Sequence, residues 1–287
     1  MKFTVLGSGG CTVIPKPMCR CRICMEARQK GAPFERSGPA AFVHDENILI
    51  DTPAEICRQL NRSSIEAVSH LMLTHLDPDH IEGFRVVEQT TIDFRTWEAY
   101  PGQTIRLVMP RQLLEAFRHV NTAYGSLVSF YEKSGFLRCD PFDRNTMIGD
   151  IQVTALPVDR GDQVVYIYVF EKNGYRAVYA PCDIKPFPEQ DPAVQHPDVL
   201  FIQPGLFETG LRHGFVYPED HISRKTLYTF EQTVALSRRI QAKQVVFVHL
   251  EEYWHRSFTD YRALEAGFNN LAFAWDGMTF TINDETG

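Results

Sequence analysis

Short apolar runs recur along this chain, and most are closed by Gly, Pro, Asp or Asn. "KFTVLG" ends in a glycine turn and reads as a first β-strand. "SGPAAFVHDENILIDT" reads as two strands around a polar turn at Asp45-Glu46-Asn47, the second ending at Asp51. "AEICRQLNRSS" has helical spacing and stops in polar breakers. "AVSHLMLTH" is a buried strand that delivers "LTHLDPDHIEG" at its C-terminal end. From Phe84 to about Asn145 the pattern is less regular, with a strand in "TIRLVMP" and a helix in "RQLLEAFRHVNTAY". "IQVTALPVD" resumes the strands. "QVVYIYVFEKNGYRAVYAPCD" is a hairpin turning at Asn173-Gly174, a pair suited to a type I′ turn. "DVLFIQPG" and "QVVFVHLEE" are further buried strands, and "SRKTLYTFEQTVALSRRIQ" between them is the clearest helix. "FAWDGMTFTI" reads as a closing hairpin.

Strands therefore come both as hairpins and in alternation with helices, which predicts an α/β chain with a mixed sheet system. "NILIDT" and "RAVYAPCD" are each the second arm of a hairpin and each ends in Asp. Two similar halves would explain this echo, and so would chance.

Composition narrows the partners. With 287 residues, 44% hydrophobic and 23% charged, the chain can bury a sizeable core. A net charge of −7 gives no general attraction to phosphate backbones, so nucleic acid is not the expected partner. No apolar stretch approaches the roughly 20 residues that span a bilayer, so no membrane partner is expected either. The start "MKFTVLGSGG" does not read as a signal peptide, and the expectation is a cytoplasmic protein. Seven cysteines are present, three of them within six residues, a spacing that favours metal over disulfides in a reducing compartment.

His75, Asp77, Asp79 and His80 stand within six positions directly after an apolar run. Imidazole and carboxylate are the usual ligands of zinc, manganese and iron in hydrolytic sites. No helix face can collect positions i, i+2, i+4 and i+5, so the spacing predicts a loop site at a strand end. The plain alternative is a turn whose aspartates cap a helix. Asp183 and His249 also emerge from apolar β-runs. Alone, Asp183 could be a helix cap and His249 a surface histidine; three strand ends all carrying metal-type ligands favour a shared centre.

This order of motifs resembles the metallo-β-lactamase superfamily, whose pattern is H-x-H-x-D-H after a strand, then His, Asp and His at later strand ends. The resemblance spans nearly the whole chain. It implies a single domain over residues 1–287 with a four-layer αβ/βα sandwich and metals at one edge. Two departures stand out: Asp77 occupies the place of the second His, and Arg160, in "LPVDRGD", that of the third. By the resemblance, one position keeps Asp79, His80, His249 and a bridging Asp183, while the other keeps only His75 and Asp77 with Asp183. A guanidinium has no lone pair for a metal and would repel a cation, but it binds anions bidentately. One occupied catalytic metal is thus expected, zinc or manganese with iron as an alternative and a second ion left open. Arg160 would partly replace the missing charge, unless Asp159 or Asp162 turns inward as a ligand.

Cys19, Cys21 and Cys24 form C-x-C-x2-C, within a cysteine-rich loop at about residues 11–36. Three thiolates at this spacing suit a structural zinc with a fourth ligand from elsewhere. The cluster is similar to that of the branch containing the phosphonate-breakdown phosphodiesterase PhnP and, more distantly, the quinone-biosynthesis protein PqqB. That branch implies a fourth ligand three residues after the last catalytic His, here Glu252; His255 is chemically the better match. The resemblance also makes His221 a candidate general acid and His213 a weaker substrate contact. Together these imply a metal-dependent hydrolase with Asp79, Arg160 and His221 in catalytic roles. The expected substrate is a small anionic phosphodiester, cyclic forms included, bound by Arg160, His213 and His221. A lactam or thioester hydrolase and a non-hydrolytic carrier are the alternatives, and a homodimer is left open.

Overall fold

The computed structural model describes residues 1–161 and 163–282. Two seven-stranded sheets carry the architecture. The first contains β1 (Lys2–Gly7), β2 (Ala40–Val43), β3 (Ile48–Ile50), β4 (His70–Met72), β5 (Ile105–Pro110) and β6 (Leu137–Phe142). The second contains β7 (Asn145–Ile148), β8 (Ile151–Asp159), β9 (Val164–Lys172), β10 (Tyr175–Ala180), β11 (Val199–Ile202), β12 (Gln244–Phe247) and β13 (Leu271–Phe273). The last strand, β14 (Met278–Thr281), returns to the first sheet. The spatial orders are β6-β5-β4-β3-β2-β1-β14 and β7-β8-β9-β10-β11-β12-β13.

The two sheets share one pairing pattern. In the first, β14–β1, β1–β2 and β2–β3 are antiparallel, and β3–β4, β4–β5 and β5–β6 are parallel. In the second, β7–β8, β8–β9 and β9–β10 are antiparallel, and β10–β11, β11–β12 and β12–β13 are parallel. The echo between "NILIDT" and "RAVYAPCD" is therefore topological, because β3 and β10 hold equivalent places where antiparallel pairing gives way to parallel.

Strand alternation builds the layers. On β9, Tyr166, Tyr168 and Phe170 enter the core between the sheets, while Val165, Ile167 and Val169 face the opposite way. Phe3 of β1 meets Phe170 and Phe201 across the gap, at ring-centroid distances of 5.6 and 5.3 Å. Among the described residues the α-helices are α1 (Arg22–Lys30), α2 (Ile56–Arg62), α3 (Pro78–Ile81), α4 (Val86–Thr91), α5 (Arg111–Phe117), α6 (Leu127–Lys133), α7 (Phe230–Arg239) and α8 (Phe258–Glu265). Ile56, Val87, Leu114, Phe117 and Val128 of α2, α4, α5 and α6 join the core of the first sheet. Phe230, Val234 and Leu236 of α7 and Tyr261 of α8 cover the second. The result is a helix–sheet–sheet–helix sandwich. No described helix is long and apolar enough to cross a membrane.

Three sequence expectations change. The helix read over residues 223–241 is confined to α7, because Thr229 and Gln232 form a reciprocal capping box at its start. Ile222–Arg224 is a separate 3₁₀ turn capped by His221. The helix read over residues 111–124 stops after α5, and a two-residue hairpin, Asn121–Thr122 with Gly125–Ser126, follows. The closing hairpin in "FAWDGMTFTI" does not form: β13 pairs with β12 and β14 with β1, so the chain crosses between sheets. Asp276 anchors that crossing. Its carboxylate accepts hydrogen bonds from the backbone and hydroxyl of both Ser8 and Ser37.

Candidate metal centre

All the parallel strands end on one edge, and the candidate residues gather there. β3 is followed by Asp51, β4 by Thr74 and His75, β10 by Cys182 and Asp183, β11 by Gln203, and β12 by His249. Asp77 stands at the N-cap position of α3 without a side-chain capping bond, with Pro78 at the first position, and α3 carries Asp79 and His80. Asp51, Asp183 and His249 all adopt left-handed backbone angles, with φ of 62°, 51° and 58°. Such residues store strain of about 1–3 kcal/mol each and cluster where a side chain must be aimed.

Two buried carboxylates orient the imidazoles. Asp51, fully buried, accepts from the Thr74 backbone at 2.7 Å and hydroxyl at 2.9 Å, and binds His80 Nδ1 at 2.9 Å. Glu251 Oε1 lies 3.2 Å from His249 Nδ1 and also accepts from the Cys11 backbone. Gln203 Nε2 approaches the same His249 nitrogen at 3.2 Å. With Nδ1 engaged, Nε2 of each ring is left to face the site. Gly10 makes room for this: a Cβ there would lie 2.1 Å from Glu251 Oε1 and 2.5 Å from His249 Nδ1.

The inward atoms converge. His80 Nε2 lies 3.3 Å from His249 Nε2, and Asp79 Oδ2 lies 3.5 Å from the former and 3.3 Å from the latter. Ligands about 2.0–2.2 Å from a tetrahedral ion stand roughly 3.3–3.6 Å apart, so the triad fits one cation. His75, His80 and Cys182 form a second, overlapping set. His75 Nε2 is fully buried and lacks a hydrogen-bond partner; Asp77 Oδ2, at 3.4 Å, does not meet the geometry. Burial disfavours charge on His80, yet Asp51 pulls its pKa up to about 10. Burial likewise raises the Cys182 thiol, but His249, His75 and His80 outweigh it and bring it to about 6. These groups make a pocket that accepts positive charge, as a bound metal would supply.

Arg160 enters this edge as a cation. It pairs with Asp183 and, at 3.4 Å, with Asp77, whose other oxygen accepts from Gln163 at 2.5 Å. Asp183 is thereby paired with the guanidinium and stands in neither ligand set. Asp159 is exposed and accepts from the Gly161 backbone rather than turning inward. Asp162 lies outside the described residues.

The cysteine cluster is separate. Cys19, Cys21 and Cys24 place their sulfurs 3.4, 3.2 and 3.6 Å from Glu252 Oε1, the separations a tetrahedral zinc would set. Between the two candidates for the fourth ligand, the structure brings Glu252 to the thiols, whereas His255 contributes a backbone carbonyl to Arg22. Arg212 binds both Glu252 oxygens, at 2.9 and 3.0 Å, and offsets the surplus negative charge. His213 and His221 line a neighbouring cavity of about 750 Å³ together with Lys16, Arg212, Tyr217 and Tyr253. His221 Nδ1 accepts from the Ser223 backbone, and its ring packs on Tyr217.

Sequence reading missed Cys182, Asp51, Glu251, Gln203 and Arg212. Cys182 and Glu251 had a signal, since each lies within two residues of a named ligand; Gln203 and Arg212 had none.

A helical sandwich with a His/Asp cluster at one sheet edge defines the class, and the chain belongs to it: the family described as a beta-lactamase superfamily domain matches residues 46–250. Within that superfamily it resembles PhnP. A crystal structure of a diphosphatase from the PhnP family is 21% identical, with a TM-score of 0.72 over 98% of both chains. Zinc-bound PqqB from Methylobacterium extorquens is 17% identical, with a TM-score of 0.73 over 98% of this chain and all of that one. A relative from Porphyromonas gingivalis named octanoyltransferase is 24% identical over 99% of this chain, which spans about half (52%) of that relative's length.

Proposed function

We propose that the protein is a metal-dependent phosphodiesterase acting on a small anionic ester. The observation behind this reading is the pairing of one complete ligand triad, Asp79, His80 and His249, with a guanidinium held by Asp77 and Asp183 beside it. A divalent ion at the triad would supply Lewis acidity and a water acidic enough to ionise near neutrality. The chain's own groups do the rest. Asp51 and Glu251 hold the imidazoles in register. Arg160 presents a fixed positive charge where phosphoryl oxygens gain charge in the transition state. In this reading His221, which lines the 750 Å³ cavity beside Glu252, gives a proton to the leaving oxygen. The cavity admits a small ester, and Lys16 lines it with positive charge.

The test is a phosphodiesterase screen with bis(p-nitrophenyl) phosphate and cyclic nucleotides on zinc- and manganese-loaded protein. Turnover lost in His80→Ala but kept in Asp77→Ala supports the reading. Metal only at the cysteine cluster, with no turnover, favours a carrier. A second reading, acyl-thioester hydrolysis, has one observation behind it, the relative named octanoyltransferase. Cleavage of an octanoyl thioester with no action on phosphodiesters would select it.

A further inference from the structure

Cys182 is a buried thiol set among imidazoles. Its residue is 7% exposed, and its sulfur and the ligand nitrogens of His75 and His80 lie within 4.8 Å of one another. The buried Nε2 of His75 has no hydrogen-bond partner there. The adjacent carboxylate, Asp183, is held by Arg160 instead. So the strand end after β10 offers sulfur inward and oxygen to the guanidinium.

We propose that Cys182 is a metal ligand of this centre, taking the inward place that Asp183 gives up to Arg160, and that its sulfur makes the centre select zinc over manganese. The inference rests on reading the His/Asp cluster as a metal site. Its chemistry is simple exchange: a sulfur–metal bond forms, the thiol proton passes to solvent, and nothing is oxidised or reduced. Thiolate is a soft ligand that favours zinc, whereas a set of carboxylate and imidazole alone accepts manganese more readily. Arg160 and Cys182 then belong to one rearrangement: the guanidinium draws off the hard oxygen ligand, and the soft one remains.

Cadmium NMR on the full chain reads the ligand sets directly. Two resonances are expected, the cysteine cluster farther downfield and the second centre less so. In Cys182→Ser the first should stay while the second moves upfield or is lost; in Cys182→Asp the second should move upfield and persist. The unmoved first resonance reports a folded variant, and if the Ser variant loses both, the Asp variant is read instead. X-ray absorption of the wild-type zinc protein needs no variant. Four sulfurs over two ions give an average of about 2 per zinc, and three give about 1.5. Manganese should also displace zinc more readily from Cys182→Asp than from wild type. A wild-type spectrum with the cysteine-cluster resonance alone would overturn the metal-site reading, and this inference with it. Two resonances with the second unmoved in the variant, or an average of about 1.5 sulfurs, would overturn the inference alone.

Discussion

Asp51 is fully buried, and it bonds His80 Nδ1 and two groups of Thr74. Removing it takes away the shorter of the two contacts to His80 Nδ1, leaving the Thr74 hydroxyl at 3.3 Å, and strips the buried Thr74 N–H of its carboxylate acceptor. Asp51→Ala should therefore weaken metal binding at the triad by about 10–100-fold, read by competition with a chelating dye, while the cysteine-cluster ion stays bound. Arg160 makes a second prediction. Arg160→Ala should lower kcat/KM for an anionic ester by roughly tenfold, the equivalent of about 1.4 kcal/mol of lost transition-state stabilisation. An unchanged kcat/KM would end its proposed role. Arg160→His should add one metal equivalent per chain, read by elemental analysis. At this scale the sequence was partly legible. His75, Asp79, His80 and His249 announce themselves as polar residues ending apolar strands. Cys182 was legible only through its place beside Asp183, because a cysteine after "VYAP" otherwise reads as an ordinary core residue.

The elements explain why those side chains meet. β3, β4, β10, β11 and β12 end on the same edge because parallel neighbours share direction. Their apolar runs were readable, and so was the Asn173-Gly174 turn, which has the expected positive φ at both residues. The crossing from β13 to β14 was not: nothing local distinguishes a turn within one sheet from a step to another, and the buried Asp276 contacts come from residues far away in sequence. The cysteine cluster is the other element-level device. It joins the loop before α1 to the turn after β12. Cys21→Ala should lower zinc content from two equivalents to one. If the lost tie is worth about 3 kcal/mol, Tm falls by roughly 6–12 °C in calorimetry. Activity per folded molecule should change far less, because these ligands are distinct from the triad.

At the scale of the whole molecule, stability rests on two sheets pressed face to face. Phe3, 1% exposed, fills the seam against Phe170 and Phe201. Phe3→Ala should cost about 3–5 kcal/mol, read by urea denaturation, with one transition retained because both sheets lose the same contact. The pairing rule shared by the sheets was only hinted at by two Asp-ended hairpins, since topology depends on partners that no local window contains.

Cys24 and Glu252 are 228 residues apart, although their side chains meet. Synthesis runs from the N-terminus at about 5–20 residues per second, so some 10–50 s separate the three thiols from the carboxylate that completes their set. His75, Asp79 and His80 likewise wait for His249. During that interval a nascent chain carries bare thiols with no fourth partner, open to oxidation or to the wrong ion. Full metal sites therefore exist only once the C-terminal third of the chain has been made, whatever metal is present earlier.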